Sequence, residues 1–183
     1  WSEPIDIASL PPGTNIIPLQ WVYKLKRDIQ GAISRWKSRL VVRGDKCEKG
    51  VEYTKTFAPV VHFNTTRAFL SHCCARNWEV QQMDVKTAFV NAEVDRDVYV
   101  SLPPGYRDPS GGNPSRKCLK LKRALYGLPQ SPLLWNRKFT NWLLERGFTR
   151  SEFDPCYFIW RTTGPNGKPE ELHLICYVDD IAF

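Results

Sequence analysis

Two stretches in which side-chain character alternates residue by residue constrain this chain more than any other feature. Trp21, Tyr23 and Leu25 take one set of positions and Val22, Lys24 and Lys26 the other. Successive side chains of a strand point to opposite faces, so the segment predicts a strand with an apolar side and a largely basic side. Asp28 to Gly31 supply turn chemistry, and a second alternation follows, with Arg35, Lys37 and Arg39 on one face and Trp36, Ser38 and Leu40 on the other. The expectation is an antiparallel hairpin carrying a basic stripe. Cations two residues apart on a strand lie about 6–7 Å apart, close to the spacing of successive phosphates. Two readings stand for the stripe: a polyanion-binding surface, or an exposed face kept soluble by its charge.

Composition sharpens the first reading. Of a net charge of +7, residues 20–50 hold +6, with nine Lys or Arg against three Asp or Glu. A localised excess of this kind suits a polyanion, because each neutralised phosphate releases condensed counterions. With 42% hydrophobic residues and seven Trp, a disordered tail is excluded. No apolar run is long enough for a membrane helix, and Trp1 to Leu10 has no signal-peptide pattern, so neither export nor membrane insertion is expected. The six cysteines form no C-x-x-C pair and His62, His72 and His173 sit at no zinc-ligand spacing, which predicts reduced thiols in an intracellular protein.

Elsewhere, prolines and Gly13 predict an irregular lead-in over the first nineteen residues. Asn64 is expected to cap a helix over Thr65 to Arg76 that ends at Asn77, with Phe69, Leu70, Cys73 and Cys74 as its apolar side. Trp78 to Val85 reads as a strand with Asp84 near its end, between Met83 and Val85. An acid among hydrophobes is costly unless paired or metal-bound, so Asp84 is either a candidate site or a structural cap. Pro103 to Gly105 and Asp108 to Ser115 predict a polar surface loop. Ser131 and Pro132 open an amphipathic helix with Trp135, Phe139, Trp142 and Leu143 on one side, closed by Arg146 and Gly147. Cys156 to Arg161 and Leu172 to Val178 predict a hairpin around Gly164 to Gly167. No internal repeat or linker-bounded domain is found.

That last strand delivers two adjacent acids, Asp179 and Asp180. Neighbours on a regular strand face opposite ways, so both serve one site only if the chain turns tightly there. With Asp84 they make three carboxylates and no His or Cys ligand, a donor set that suits Mg²⁺ and not zinc. The chemistry that fits is phosphoryl transfer, in which two metals about 3.5–4 Å apart activate a hydroxyl and stabilise a leaving oxygen. Asp pairs are also common at ordinary turns, so spacing alone leaves both readings open.

The runs QMDVKTAF, LKRALYGLPQSPLLW and YVDD resemble three ordered blocks of reverse transcriptases. WVYKLKRD, KSRLVVRGD, YTKTFAPVV and DVYVSLPPGY resemble the Copia branch, so the similarity covers nearly the whole chain. The resemblance implies the fingers and palm of a Copia-type (Pseudoviridae-like) LTR retrotransposon enzyme, part of a Pol polyprotein. The implied fold is α+β, a right-handed polymerase with an antiparallel palm sheet and packed helices. Residues 1–83 would be lead-in and fingers, 84–119 the first part of the palm, 120–150 a fingers/palm helical segment and 151–183 the palm hairpin, all in one domain.

It further implies RNA-directed DNA polymerase activity, with Asp84, Asp179 and Asp180 holding two Mg²⁺ ions, which Mn²⁺ can replace. Arg39 would grip the incoming triphosphate as a bidentate guanidinium does, with Lys37 beside it. Arg35 would contact template or primer. Phe89 would be a steric gate excluding a 2′-OH, against its plain reading as core. Gln130 would pack near the nucleotide sugar, against its plain reading as a polar residue leading into a helix. The implied partners are an RNA template, a DNA primer, dNTPs and the thumb, ribonuclease H and integrase of the polyprotein. The implied location is a cytoplasmic virus-like particle or the nucleus. The alternative is a non-catalytic nucleic-acid-binding remnant.

Several positions depart from the family pattern. Asn91 is followed by Ala92 where Asn-Gly is usual, which predicts strain if that turn needs a positive φ. Pro129 and Leu133 stand where basic residues are frequent. Trp1 and Phe183 read as cuts in a longer polypeptide. With the chain truncated after YVDD and no strand to close the hairpin, Asp179 and Asp180 are expected on a frayed terminus, and little or no polymerase activity is expected of this piece.

Overall fold

The computed structural model describes residues 1–107 and 113–183, so part of the expected polar loop, 108–112, lies outside the described residues. In chain order the elements are β1 Ile5–Asp6, β2 Ile16–Ile17, β3 Leu19–Arg27, β4 Ile33–Val42, α1 Phe63–Arg76, β5 Gln82–Asp84, β6 Tyr99–Ser101, β7 Lys117–Lys120, α2 Ser131–Leu144, β8 Thr149–Arg150, β9 Tyr157–Thr163, β10 Pro169–Tyr177 and β11 Asp180–Ala182. They fall into two units, each built from two segments of chain.

The first unit comprises Trp1–Thr56 and Phe89–Leu134. Its most exposed element is the predicted hairpin, β3 paired antiparallel with β4 from Leu19↔Val42 to Arg27↔Ile33. Asp28 makes the turn: its Oδ1 accepts the Gln30 and Ala32 N–H groups, and Gly31 takes φ +84°. The lead-in is more ordered than its prolines suggest. β1 adds to a four-stranded sheet in the order β1-β7-β6-β2, where β2 runs parallel to β6. Pairing with distant strands overrides the local turn signals there. Ile17, Leu19, Val42, Val98, Val100 and Leu119 are among the residues of the core beneath. Gly127 is required by close approach: its φ is +92°, and a Cβ would sit 2.0 Å from the Val42 carbonyl oxygen.

The second unit comprises Phe57–Ala88 and Trp135–Phe183. Its five-stranded antiparallel sheet runs β5-β11-β10-β9-β8. Alternate residues of the sheet enter two cores. Ile175 packs with Phe69 and Cys73 of α1, whereas Leu174, Cys176 and Ile181 pack with Leu143 and Phe139 of α2. Helix α1 begins one residue before Asn64, with His62 as N-cap and no side-chain cap bond. Asn64 therefore lies inside the first turn. The cap is supplied from elsewhere in the chain: buried Asp154 accepts the His62 N–H at 2.9 Å. The predicted side of α1 narrows to Phe69 and Cys73, with Leu70 and Cys74 exposed. Asn77 ends it in the left-handed region at φ +53°, as expected.

The strand expected over Trp78 to Val85 is reduced to Gln82–Asp84, because Trp78 packs on α1 and on His173 instead of joining the sheet. Ala92 shows no left-handed backbone and is buried after a 3₁₀ turn, so the strain predicted for the missing glycine is not found. All six cysteines are free thiols. Among the described residues no helix is long and apolar enough to cross a membrane.

Candidate active site

The three acids occupy neighbouring backbone positions in the second unit. β10 and β11 form a hairpin in which Tyr177 pairs with Asp180, leaving Val178 and Asp179 as a two-residue turn. The tight turn expected at the acid pair is thus present. The expectation of a frayed terminus is not met: β11 is hydrogen-bonded to β10 on one side and to β5 on the other. Three residues after the turn are enough, because each finds a partner on both sides.

Asp180 lies directly opposite Asp84. Around them, Gln81 and Phe183 exchange two backbone hydrogen bonds of 2.7 and 3.0 Å, and the Val85 N–H donates to the Asp179 carbonyl at 2.8 Å. Bonded and unbonded pairs alternate along an antiparallel ladder, which makes Asp84 and Asp180 an unbonded pair, the narrower type, with Cα atoms about 4.5 Å apart and side chains on one face. Like charges so placed destabilise a sheet by up to about 1 kcal/mol unless a cation lies between them. Asp84 is exposed at the edge of the sheet, not buried among hydrophobes as its neighbours suggested. The order β5-β11-β10 makes β5 an edge strand, so Met83 is half-exposed too.

Among the described residues no group of three or more His, Cys, Asp or Glu side chains is already gathered closely enough to hold a metal ion. The backbone register brings the acids together, and drawing three carboxylates inward requires a counter-charge. The donor chemistry fits a hard cation. Cys176, the nearest thiol in sequence, is buried on β10 and its pKa is pushed up to about 12, first by burial, then by Cys156, Asp179 and Asp180. Its partner across the hairpin is Ile181 and not Asp180, so the thiol lies on the opposite face of the sheet, in the core against α2, and the donors on the Asp84–Asp180 face are carboxylate oxygens of the type Mg²⁺ and Mn²⁺ take.

The nucleotide and template candidates all belong to the first unit. Register puts Lys24 opposite Lys37, Lys26 opposite Arg35 and Val22 opposite Arg39. Opposed residues share a face, so five cations line one side of the β3–β4 ribbon. Trp21, Tyr23, Leu25 and Trp36 line the other, where Tyr23 and Trp36 are 74% and 77% exposed. Arg39 and Phe89 meet on one ring: the Arg39 guanidinium lies 5.7 Å from the Tyr126 centroid, and the Phe89 ring lies 4.8 Å from it. Gln130 is only 1% exposed and donates through Nε2 to the Glu52 carbonyl at 2.8 Å, so it ties the 48–54 loop down.

Sequence reasoning missed three contributors. Tyr126 joins Arg39 to Phe89, and its carbonyl accepts the Val42 N–H at 2.8 Å; the adjoining Gly127 was its signal. Val178 adopts φ +59°, strained for a β-branched residue, and nothing in its type announces this. Trp135, predicted as helix core, donates its indole N–H to the Val178 carbonyl at 2.7 Å.

A family model described as "Reverse transcriptase (RNA-dependent DNA polymerase)" matches residues 2–183. The chain is 34% identical over 175 residues to the retrovirus-related Pol polyprotein from transposon TNT 1-94 of Nicotiana tabacum, covering 96% of this chain and 13% of that protein. To the corresponding polyprotein from transposon RE1 of Arabidopsis thaliana it is 36% identical over 177 residues, covering 96% and 12%. To the transposon Ty1-H Gag-Pol polyprotein of Saccharomyces cerevisiae it is 25% identical over 174 residues, covering 91% and 8%. The chain thus spans about an eighth of the plant relatives it matches. No solved structure matches it. With the family model covering all but its first residue, this chain belongs to the reverse transcriptase family, in the Copia-type branch of retrotransposon Pol polyproteins.

Proposed function

We propose that this chain forms the fingers and palm of an RNA-directed DNA polymerase: the second unit, with its five-stranded sheet, is palm, and the basic ribbon belongs to the fingers. The reaction joins the 3′-oxygen of a DNA primer to the α-phosphorus of a dNTP opposite an RNA template. The bond from that phosphorus to the bridging oxygen breaks, pyrophosphate leaves, and the hydroxyl proton passes to solvent. The observation that carries the reading is the Asp84–Asp180 pair, two like charges on a narrow rung with Asp179 in the adjoining turn.

Asp84, Asp179 and Asp180 would hold divalent cations, which when bound make the primer hydroxyl more acidic and stabilise charge on the leaving oxygen. The chain's other residues bind and orient. Arg39, braced over Tyr126, presents a planar fork to the triphosphate, with Lys37 on the same face. Phe89, whose ring also meets Tyr126, would form the floor beneath the sugar and disfavour a 2′-OH. Lys24, Lys26 and Arg35 would neutralise template or primer phosphates. Gln130 acts from beneath, by fixing the 48–54 loop. The remaining parts of the polyprotein, among them thumb, ribonuclease H and integrase, and a virus-like particle would be the working context.

The test is primer extension on an RNA template by a polypeptide carrying this chain in the length of its relatives, with Asp84→Asn and Asp179→Asn variants beside it. Loss of incorporation by at least about a thousandfold in both, with template binding kept, is expected. Equal incorporation by wild type and Asp84→Asn would refute the assignment. Salt-sensitive binding without any Mg²⁺-dependent incorporation would identify a non-catalytic binding module instead.

A further inference from the structure

Asp179 is held from both sides by groups that are not acids. Its own carbonyl accepts the Val85 N–H at 2.8 Å, and the preceding carbonyl, that of Val178, accepts the Trp135 indole N–H at 2.7 Å. The Cys176 thiol also approaches the Val178 oxygen, at 3.5 Å. We propose that Trp135 is a positioning residue: by gripping the Val178 carbonyl it fixes the peptide between Val178 and Asp179, and with it the direction in which Asp179 presents its carboxylate. This rests on the reading of Asp84, Asp179 and Asp180 as cation-holding groups.

The turn itself supplies the reason. In a two-residue hairpin turn the central peptide can flip with little movement of the flanking strands, which exchanges the two mirror-image turn types. Here only the first turn residue, Val178, has a positive φ, at +59°, whereas the flipped turn would give Asp179 a positive φ as well. A β-branched residue has no intrinsic preference for that region, so the local sequence does not choose this turn. The central carbonyl is the handle that does, and Trp135 is the strong donor upon it.

Trp135 is suited to rigidity. It is nearly buried, and it begins a stack along α2 in which its ring lies 5.4 Å from Phe139, Phe139 lies 6.2 Å from Trp142, and the Arg146 guanidinium covers Trp142 at 3.9 Å. The ring is set by this stack, while the N–H is given to the turn. Removing the N–H alone therefore separates packing from positioning.

The probe is Mn²⁺, followed by electron paramagnetic resonance of the free ion in titrations of this 183-residue chain. Four forms are compared: wild type, Asp84→Asn, Trp135→Phe, and a chain with β-(3-benzothienyl)alanine at position 135, which keeps the fused ring and lacks the N–H. Expected are Mn²⁺ binding by wild type, its loss in Asp84→Asn, and dissociation constants raised about tenfold in both Trp135 forms, titrated at a temperature where circular dichroism shows each chain fully folded. A ring acting only as packing would leave the benzothienyl chain binding as wild type does. That result, with Asp84→Asn still defective, overturns the proposal and leaves the carboxylate reading standing. Absence of binding by wild type, or equal binding by Asp84→Asn, overturns the carboxylate reading itself. Should Trp135→Phe unfold, the benzothienyl chain decides.

Discussion

Replacing Asp154 by Asn tests how the second unit is tied together. The carboxylate is fully buried in the loop before β9, where Oδ2 accepts the His62 N–H at 2.9 Å and Oδ1 accepts the Cys156 N–H at 2.8 Å. The Thr65 side chain also bonds to it. An amide in the same place must turn its NH₂ toward one of the two backbone donors. One bond is then broken and one buried N–H left unsatisfied, which costs about 1–3 kcal/mol. The surviving bonds fall from charge-assisted to neutral strength, roughly half as strong. The expected loss is about 2–4 kcal/mol, or about 1–2 M in urea midpoint at a slope of about 2 kcal/mol/M, read by fluorescence at pH 7.

The acid branch gives a second signature. Burial pushes the Asp154 carboxyl up, but the Thr65 bond and the two backbone N–H groups outweigh it and hold the folded-state pKa below the ordinary value. A depressed carboxylate contributes fully above its unfolded pKa, about 3.9, and loses that contribution as pH falls through the folded value. The gap between wild type and variant should stay constant from pH 7 to about 5 and narrow below about 4. A gap under about 0.5 kcal/mol at pH 7, or one that stays wide in acid, would refute this account.

Three further outcomes are expected. Gly127→Ala should lower stability by at least about 3 kcal/mol, because its Cβ meets the Val42 carbonyl at 2.0 Å and its backbone sits at φ +92°; a melting temperature within a degree or two of wild type would contradict this. In thiol titration with an aromatic disulfide at pH 8, exposed Cys74 should react quickly. Half-buried Cys47, pushed up to about 11, should react slowly, and buried Cys156 and Cys176, at about 11 and about 12, should wait for denaturant; rapid labelling of Cys176 would show its burial to be wrong. The double variant Lys26→Glu, Arg35→Glu should weaken single-stranded RNA binding and reduce the slope of log affinity against log salt by about 0.7 for each phosphate no longer neutralised, and an unchanged slope would remove the ribbon from the interface.

What the sequence disclosed was what short-range physics controls. The β3–β4 hairpin was legible because alternation and an Asp–Gly turn fix both its existence and its register. Helix α2 was legible through its opening Ser-Pro and its apolar side. The three acids were found as residue types, and their family blocks gave them an order. Their arrangement was not legible: that Asp180 faces Asp84, and that three residues suffice to close the hairpin, depend on pairing across nearly a hundred residues. The cap of α1 was missed for the same reason, because its acceptor is Asp154 and not the adjacent Asn64. Val178 and Trp135 were invisible for a subtler one, since a strained turn and the donor that selects it have no composition signal.

β11 is hydrogen-bonded along both edges, and so the separation of Asp84 from Asp180 is a lattice spacing of the sheet and not a matter of side-chain reach. Substitution and change of length therefore have unequal effects here. An altered side chain at 82 or 182 leaves the rung intact, whereas a single inserted or deleted residue in β5 or β11 moves every later residue to the opposite face and carries one acid away from the other. The turn at 164–167 lies at the far end of β9 and β10 and carries none of the acids, so a change of length absorbed there leaves the Asp84–Asp180 rung in place. Variation in length among functional copies of this sequence should gather there and avoid the two short strands that carry the acids.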